Sequence, residues 1–123
     1  MTLILQMIKK ILKPFGFAFQ GILYTIKTQW NFRFHLLATS IVLACSFYFE
    51  IKTIEWLFLL LCIGLVLFAE LLNTAIESTI NLCSPEIHPL AKIAKDTAAG
   101  SVLILAIMSA LIGVIIFTPY FFS

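Results

Sequence analysis

From Trp56 to Ala69 the chain carries no charged or amide side chain, and the next residue is Glu70. That junction restricts the fold more than any other feature. An uninterrupted apolar run of this kind reads as the body of a membrane-crossing helix. A carboxylate at its end sits at or near membrane depth, where a charge costs at least about 2.5–3.5 kcal/mol and is a functional candidate by default. Glu70, Asn73, Glu77 and Asn81 then follow one another at +3, +4 and +4. At about 100° per residue they fall within roughly 80° of arc, one polar stripe along one helix. His88, Lys92, Lys95 and Asp96 come next. Together these are groups that bind metal, bind phosphate and move protons.

Composition supports a membrane setting. Hydrophobic residues make up 62% of the chain and charged residues 11%, against about 45–50% and about 25% in ordinary soluble domains. The mean hydropathy is +1.09. An all-α integral membrane protein of a single domain over residues 1–123 is expected. A chain this short encloses no sizeable site alone, so oligomerisation is expected as well. The net charge is only +2, and the basic residues form no nucleic-acid-binding pattern. Cys45, Cys62 and Cys83 are scattered without C-x-x-C or metal spacing and read as small hydrophobes. No cleavable leader is expected, because Lys9, Lys10 and Lys13 interrupt the first apolar stretch.

In chain order, Leu3, Ile4, Met7, Ile8, Ile11 and Leu12 keep one helical face apolar. The spacing predicts an amphipathic helix on the membrane surface, with Lys9 and Lys13 toward head groups, broken by Pro14 and Gly16. A second, wetter interfacial helix is expected from Phe17 to Arg33, with Tyr24 and Trp30 at the interface. Residues 1–33 are thus amphipathic or interfacial. Membrane helices are expected at 34–49, 54–82 and 89–118, giving three spans. Ser84-Pro85 stops the second, Pro89 fits the first turn of the third, and Pro119 ends it. Lys9, Lys10, Lys13, Lys27 and Arg33 precede the first span, while Lys92 and Lys95 lie between the second and third. The positive-inside rule then puts the N-terminus and the Ser84–Lys95 segment on the cytoplasmic side of an inner or plasma membrane.

No GxxxxGK[ST], GxGxxG or kinase catalytic-loop signature is present. Phosphoryl transfer needs a cation on the phosphate charge, a lysine on the phosphates and a group for the attacking hydroxyl. The stripe offers these: Glu77 for Mg²⁺, which prefers carboxylate oxygen, Lys95 for phosphate, and Glu70, nearer the bilayer, for the proton of a lipid hydroxyl.

E-L-L-N-T-A-I-E at 70–77 and H-P-L-A-K-I-A-K-D-T-A-A-G at 88–100 resemble the signature of the small bacterial membrane lipid kinases, the prokaryotic diacylglycerol kinase and undecaprenol kinase family. N-F-R-F-H at 31–35, after F-x-x-A-F-Q-G-I, is similar to that family's N-terminal region. The HPLAKIAKD wording resembles the undecaprenol kinase branch more. The resemblance implies a homotrimer of three-span subunits with a surface helix, sites shared between neighbours, and MgATP as phosphate donor. It implies that Glu70 is the catalytic base with Asn73 beside it, and that Glu77 is a metal ligand. It places Glu86, His88, Lys95 and Asp96 on the nucleotide, with Lys10 and Phe17 near it.

Two positions depart from the family pattern. Gln29 stands where a second metal carboxylate is common, and Asn81 stands where Asp is common. A glutamine oxygen can still ligate Mg²⁺, but the lost charge weakens binding. These departures motivate a rival reading, a lipid phosphate phosphatase on the same fold; a third reading is a lipid-binding membrane trimer without enzymatic activity.

Overall fold

The computed structural model describes all 123 residues as four α-helices: α1 Thr2–Thr28, α2 Trp30–Tyr48, α3 Thr53–Cys83 and α4 Pro89–Phe121. The expected all-α class holds. Two helices, α3 and α4, are long and apolar enough to cross a membrane. α2 forms a 19-residue helix over the expected first span, but it carries Asn31, Arg33 and His35 near its start.

The expected break at Pro14 and Gly16 does not occur. α1 runs through both and replaces the anticipated pair of helices, 1–13 and 17–33. An interior proline leaves the carbonyl four residues earlier without its donor, at a cost of about 3 kcal/mol. Lys10, which owns that carbonyl, is exposed, so water or head groups can satisfy it. The chain turns instead at Gln29, which adopts an extended conformation (φ −112°, ψ 112°) between α1 and α2. Its N–H still donates to the Thr25 carbonyl at 2.9 Å, and its own carbonyl accepts from Arg33 N–H at 3.3 Å. One extended residue therefore redirects the chain while its backbone groups stay paired.

α2 closes in a Schellman motif. Ile51 N–H reaches the Ser46 carbonyl and Glu50 N–H reaches the Phe47 carbonyl, both at 3.3 Å. The motif requires a left-handed residue, and Glu50 supplies it at φ 50°. Ile51 is thereby turned inward to meet Leu59 and Ile116, with Val42, Phe49, Trp56, Ile112, Phe117 and Tyr120 around them. The Tyr120 hydroxyl donates to the Glu55 carboxylate at this end, tying α4 to the first turn of α3.

α3 ends at Cys83, before Ser84-Pro85, as expected. His88 caps α4: its Nδ1 accepts from Leu90 N–H at 3.1 Å, and Pro89 takes the first helical position. α4 continues past Pro119, where a stop was expected. In a last turn proline forfeits a single bond, and Phe122 N–H still reaches the Thr118 carbonyl at 3.2 Å.

α3 is the central element, packed along α4 and flanked by α2, with α1 touching α2 and α3. Only 13 of the 123 residues are buried, and five of those are polar: Thr25, Ser46, Glu70, Asn73 and Thr74. Most apolar side chains therefore face outward, the pattern of a chain surrounded by lipid or by copies of itself.

Candidate functional site

The site begins where the apolar part of α3 ends. At 1.5 Å per residue, Glu70 lies about 26 Å from the start of α3 and Glu77 about 36 Å, against a hydrocarbon core of about 30 Å. With the core entered at the first turn of α3 and the helix along the membrane normal, Glu70 falls near the far edge of the core and Glu77 beyond it. Of the six acidic side chains Glu70 is the only buried one, at 2% exposure.

Its carboxylate is held from α2. His35 Nε2 lies 3.3 Å from Glu70 Oε1. Phe32, 1% exposed, and His35 are three residues apart, so they share the α2 face that packs inward. A lysine partner, the structural alternative for such a carboxylate, is absent. Thr74 is buried one turn on, its hydroxyl donating to the Glu70 carbonyl at 3.0 Å. His35 lies within the N-F-R-F-H segment, where the resemblance assigns it no role; its three-residue spacing from Phe32 is the local signal for its place in the site.

Asn73 lies one turn from Glu70, but its side chain turns the other way. Its Nδ2 donates to Glu77 Oε1 at 3.3 Å. Asn73 Oδ1 is buried without a partner. A buried, unsatisfied carbonyl-type oxygen beside a carboxylate is a donor set that suits a hard divalent cation. By chemistry Asn73 Oδ1 and Glu77 are oxygen donors of the kind Mg²⁺ takes, although the amide presents its Nδ2 edge, not Oδ1, to Glu77. Gln29, the other expected ligand, is half-buried at the α1–α2 junction, and its side chain caps neither helix. No group of three or more His, Cys, Asp or Glu side chains is assembled.

Past Glu77, α3 and α4 enclose a polar cavity of about 270 Å³. Asn81, Glu86, His88, Lys92, Lys95 and Asp96 line it. The chain closes on itself here because Lys95 Nζ donates to Asn81 Oδ1 at 2.5 Å, across 14 residues of sequence. Lys92 and Asp96 pair at 2.5 Å one turn apart on α4; both are largely exposed, so the pair contributes little to stability. Four of the expected nucleotide residues, Glu86, His88, Lys95 and Asp96, thus share one cavity. Lys10 and Phe17 do not reach it; both are exposed on α1. Capping by Nδ1 leaves the Nε2 edge of His88 available to the cavity.

Comparison with known proteins identifies the family. Residues 16–117 match the family model described as prokaryotic diacylglycerol kinase. The chain is similar to an undecaprenol kinase of Bacillus subtilis, 46% identical over 112 residues that cover 91% of each protein. It is 38% identical to a diacylglycerol kinase of Synechocystis over 93% of this chain and 66% of that longer protein. It is 26% identical to a diacylglycerol kinase of Escherichia coli over 91% of this chain and 92% of the other. The chain belongs to the prokaryotic diacylglycerol kinase family and is a lipid kinase.

Proposed function

We propose that the chain transfers the γ-phosphoryl group of ATP to the hydroxyl of a membrane lipid alcohol, with undecaprenol favoured over diacylglycerol. The buried Glu70 carboxylate at the edge of the apolar run carries this reading. Glu77 and then the polar α3–α4 cavity follow it along the same helix. The groups run from apolar to polar in the order that a lipid hydroxyl, a phosphoryl group and a nucleotide require.

Glu70 takes the proton of the lipid hydroxyl as its oxygen attacks the γ-phosphorus. The bond from that phosphorus to the bridging oxygen of ADP breaks, and lipid monophosphate and ADP leave. Lys95 contacts phosphate, and Glu86, His88 and Asp96 contact the nucleotide from the cavity they line. Glu77 and Gln29, with Asn73 Oδ1 as a further oxygen, hold Mg²⁺, which when bound neutralises phosphate charge. Lys10, Phe17 and Gln29 complete the site within a homotrimer whose sites are shared between neighbours. The outward-facing apolar surface and the distance of these residues from the cavity support that assembly. α2 serves as the third span, and the lysines of α1 support a cytoplasmic N-terminus. The preference for undecaprenol rests on the greater similarity to the Bacillus undecaprenol kinase.

The test is label transfer from ATP with Mg²⁺ in detergent, with undecaprenol and diacylglycerol offered separately to wild type, Glu70→Gln and Gln29→Glu. Label on undecaprenol that vanishes with Glu70→Gln is expected. A gain with Gln29→Glu would identify the missing carboxylate as the limit on metal binding. Phosphate release from a lipid phosphate without nucleotide, and no label on either lipid, would overturn the kinase direction.

A further inference from the structure

Glu70 has one side-chain partner. His35 Nε2 stands 3.3 Å from its Oε1, and the other side-chain donors nearby are engaged elsewhere. Asn73 donates to Glu77. The Thr74 hydroxyl donates to the Glu70 main-chain carbonyl, not to the carboxylate. A carboxylate so deeply buried, with no fixed donor, has neither a defined charge state nor a defined orientation. His35 is therefore the only group placed to fix both.

The far side of the ring supports the same assignment. His35 borders a cavity of about 110 Å³ between α2, α3 and α4, whose walls include Ala38, Val42, Leu59 and Val66. No other ionisable side chain except Cys62 lines that space. The imidazole thus has no competing ionic partner: Thr39 and Ser109 add only neutral hydroxyls to that wall, and Glu70 is the one carboxylate beside the ring. Phe32 is buried at 1% exposure, and three residues later His35 lies on the same face of α2.

We propose that His35 is the positioning residue of the reaction: its Nε2–H donates to Glu70 Oε1 and leaves Oε2 free for the lipid hydroxyl. This rests on the reading of Glu70 as the base. His35 touches neither nucleotide nor phosphate, so it acts only through Glu70. The 3.3 Å separation is long for a hydrogen bond, as such contacts often are before substrate arrives. The bond tightens when the hydroxyl proton is shared with Oε2.

The test compares the full-length wild type with His35→Ala, His35→Gln and Glu70→Gln, using ATP, Mg²⁺ and whichever lipid alcohol the wild type phosphorylates. His35→Ala is expected to lower kcat at least about 10-fold while KM for ATP moves less than about 2-fold. His35→Gln keeps an N–H donor at similar reach and is expected to recover most of that loss. Adding His35→Ala to Glu70→Gln is expected to cost nothing further. An unchanged kcat in His35→Ala, a shift confined to KM for ATP, or a glutamine variant as impaired as the alanine one would each overturn the assignment. A wild type that labels neither lipid refutes the kinase direction instead. The contact is then judged by infrared difference spectra, with the Glu70 carboxylate band identified through Glu70→Gln. A band that shifts in His35→Ala supports the proposal, and one that stays fixed overturns it. Should His35→Ala not fold, His35→Gln alone decides: near-normal kcat and an unshifted band support it, and their loss overturns it.

Discussion

Glu70→Gln separates a catalytic carboxylate from a structural one by its effect on stability. An ionised side chain costs about 2.5–3.5 kcal/mol at the bilayer centre and less toward the edge of the core, where Glu70 lies. The hydrogen bond proposed from His35 to the carboxylate would offset about 1.5–3 kcal/mol of that. The two nearly cancel, so the carboxylate contributes little net stability to the fold. Glutamine keeps the shape and can keep a neutral hydrogen bond, which is worth about 1 kcal/mol. The variant is expected to stay within about 1 kcal/mol of wild type, or to be slightly more stable, while losing roughly 10²–10⁴-fold in turnover. Reversible unfolding in mixed micelles, followed by Trp30 and Trp56 fluorescence, gives the first quantity, and phosphoryl transfer gives the second. A stability loss of about 3–5 kcal/mol would mean that Glu70 and a charged His35 form a buried ion pair on which the fold depends. That result would refute the catalytic assignment even if activity also fell.

Three further outcomes are expected. Lys95→Met should raise KM for ATP roughly 10-fold with a smaller effect on kcat, since it removes one charged hydrogen bond to phosphate; an unchanged KM would remove Lys95 from the nucleotide site. Glu50→Gly should stabilise the chain by roughly 0.5–1 kcal/mol, because glycine avoids the left-handed cost of about 1–2 kcal/mol and gives back part of it in chain flexibility. Unfolding in micelles measures this, and activity should not change. Leu59→Ala should cost about 2 kcal/mol, the low end for such a truncation, because lipid is as apolar as the core and only packing contacts are lost. Its loss should show as a lower unfolding midpoint in the same micelles.

The site was more legible in the sequence than the fold around it. The stripe from Glu70 to Asn81 depends on spacing alone, and helical geometry guarantees its shared face. The stop at Ser84-Pro85 and the restart at Pro89 follow from a residue that cannot donate. The same rule failed at Pro14 and Pro119. Pro14 lies in an exposed helix where other donors can reach the freed carbonyl, and Pro119 lies in a last turn with little helix left to lose. The bend at Gln29 and the left-handed Glu50 carry no local sequence signal at all. Neither residue type favours the conformation it adopts, so the surrounding helices impose it.

Partners were the least legible part. The sequence set Asn73 beside Glu70, and the two are neighbours along α3; rotamer and burial turned the Asn73 amide to Glu77 instead. The Lys95–Asn81 bond joins residues on opposite sides of the Ser84–His88 turn, and no periodicity links them. His35 became part of the site only when α2 was laid against α3. The sequence alone thus determined that the chain is helical, that it belongs in a membrane, and where along α3 its chemistry lies. Those properties arise from residue type and spacing within one element. The tertiary structure decided which groups orient Glu70, which oxygen is left unpaired beside Glu77, and which residues enclose the polar cavity. Those are contacts between elements, fixed by packing that no local pattern encodes.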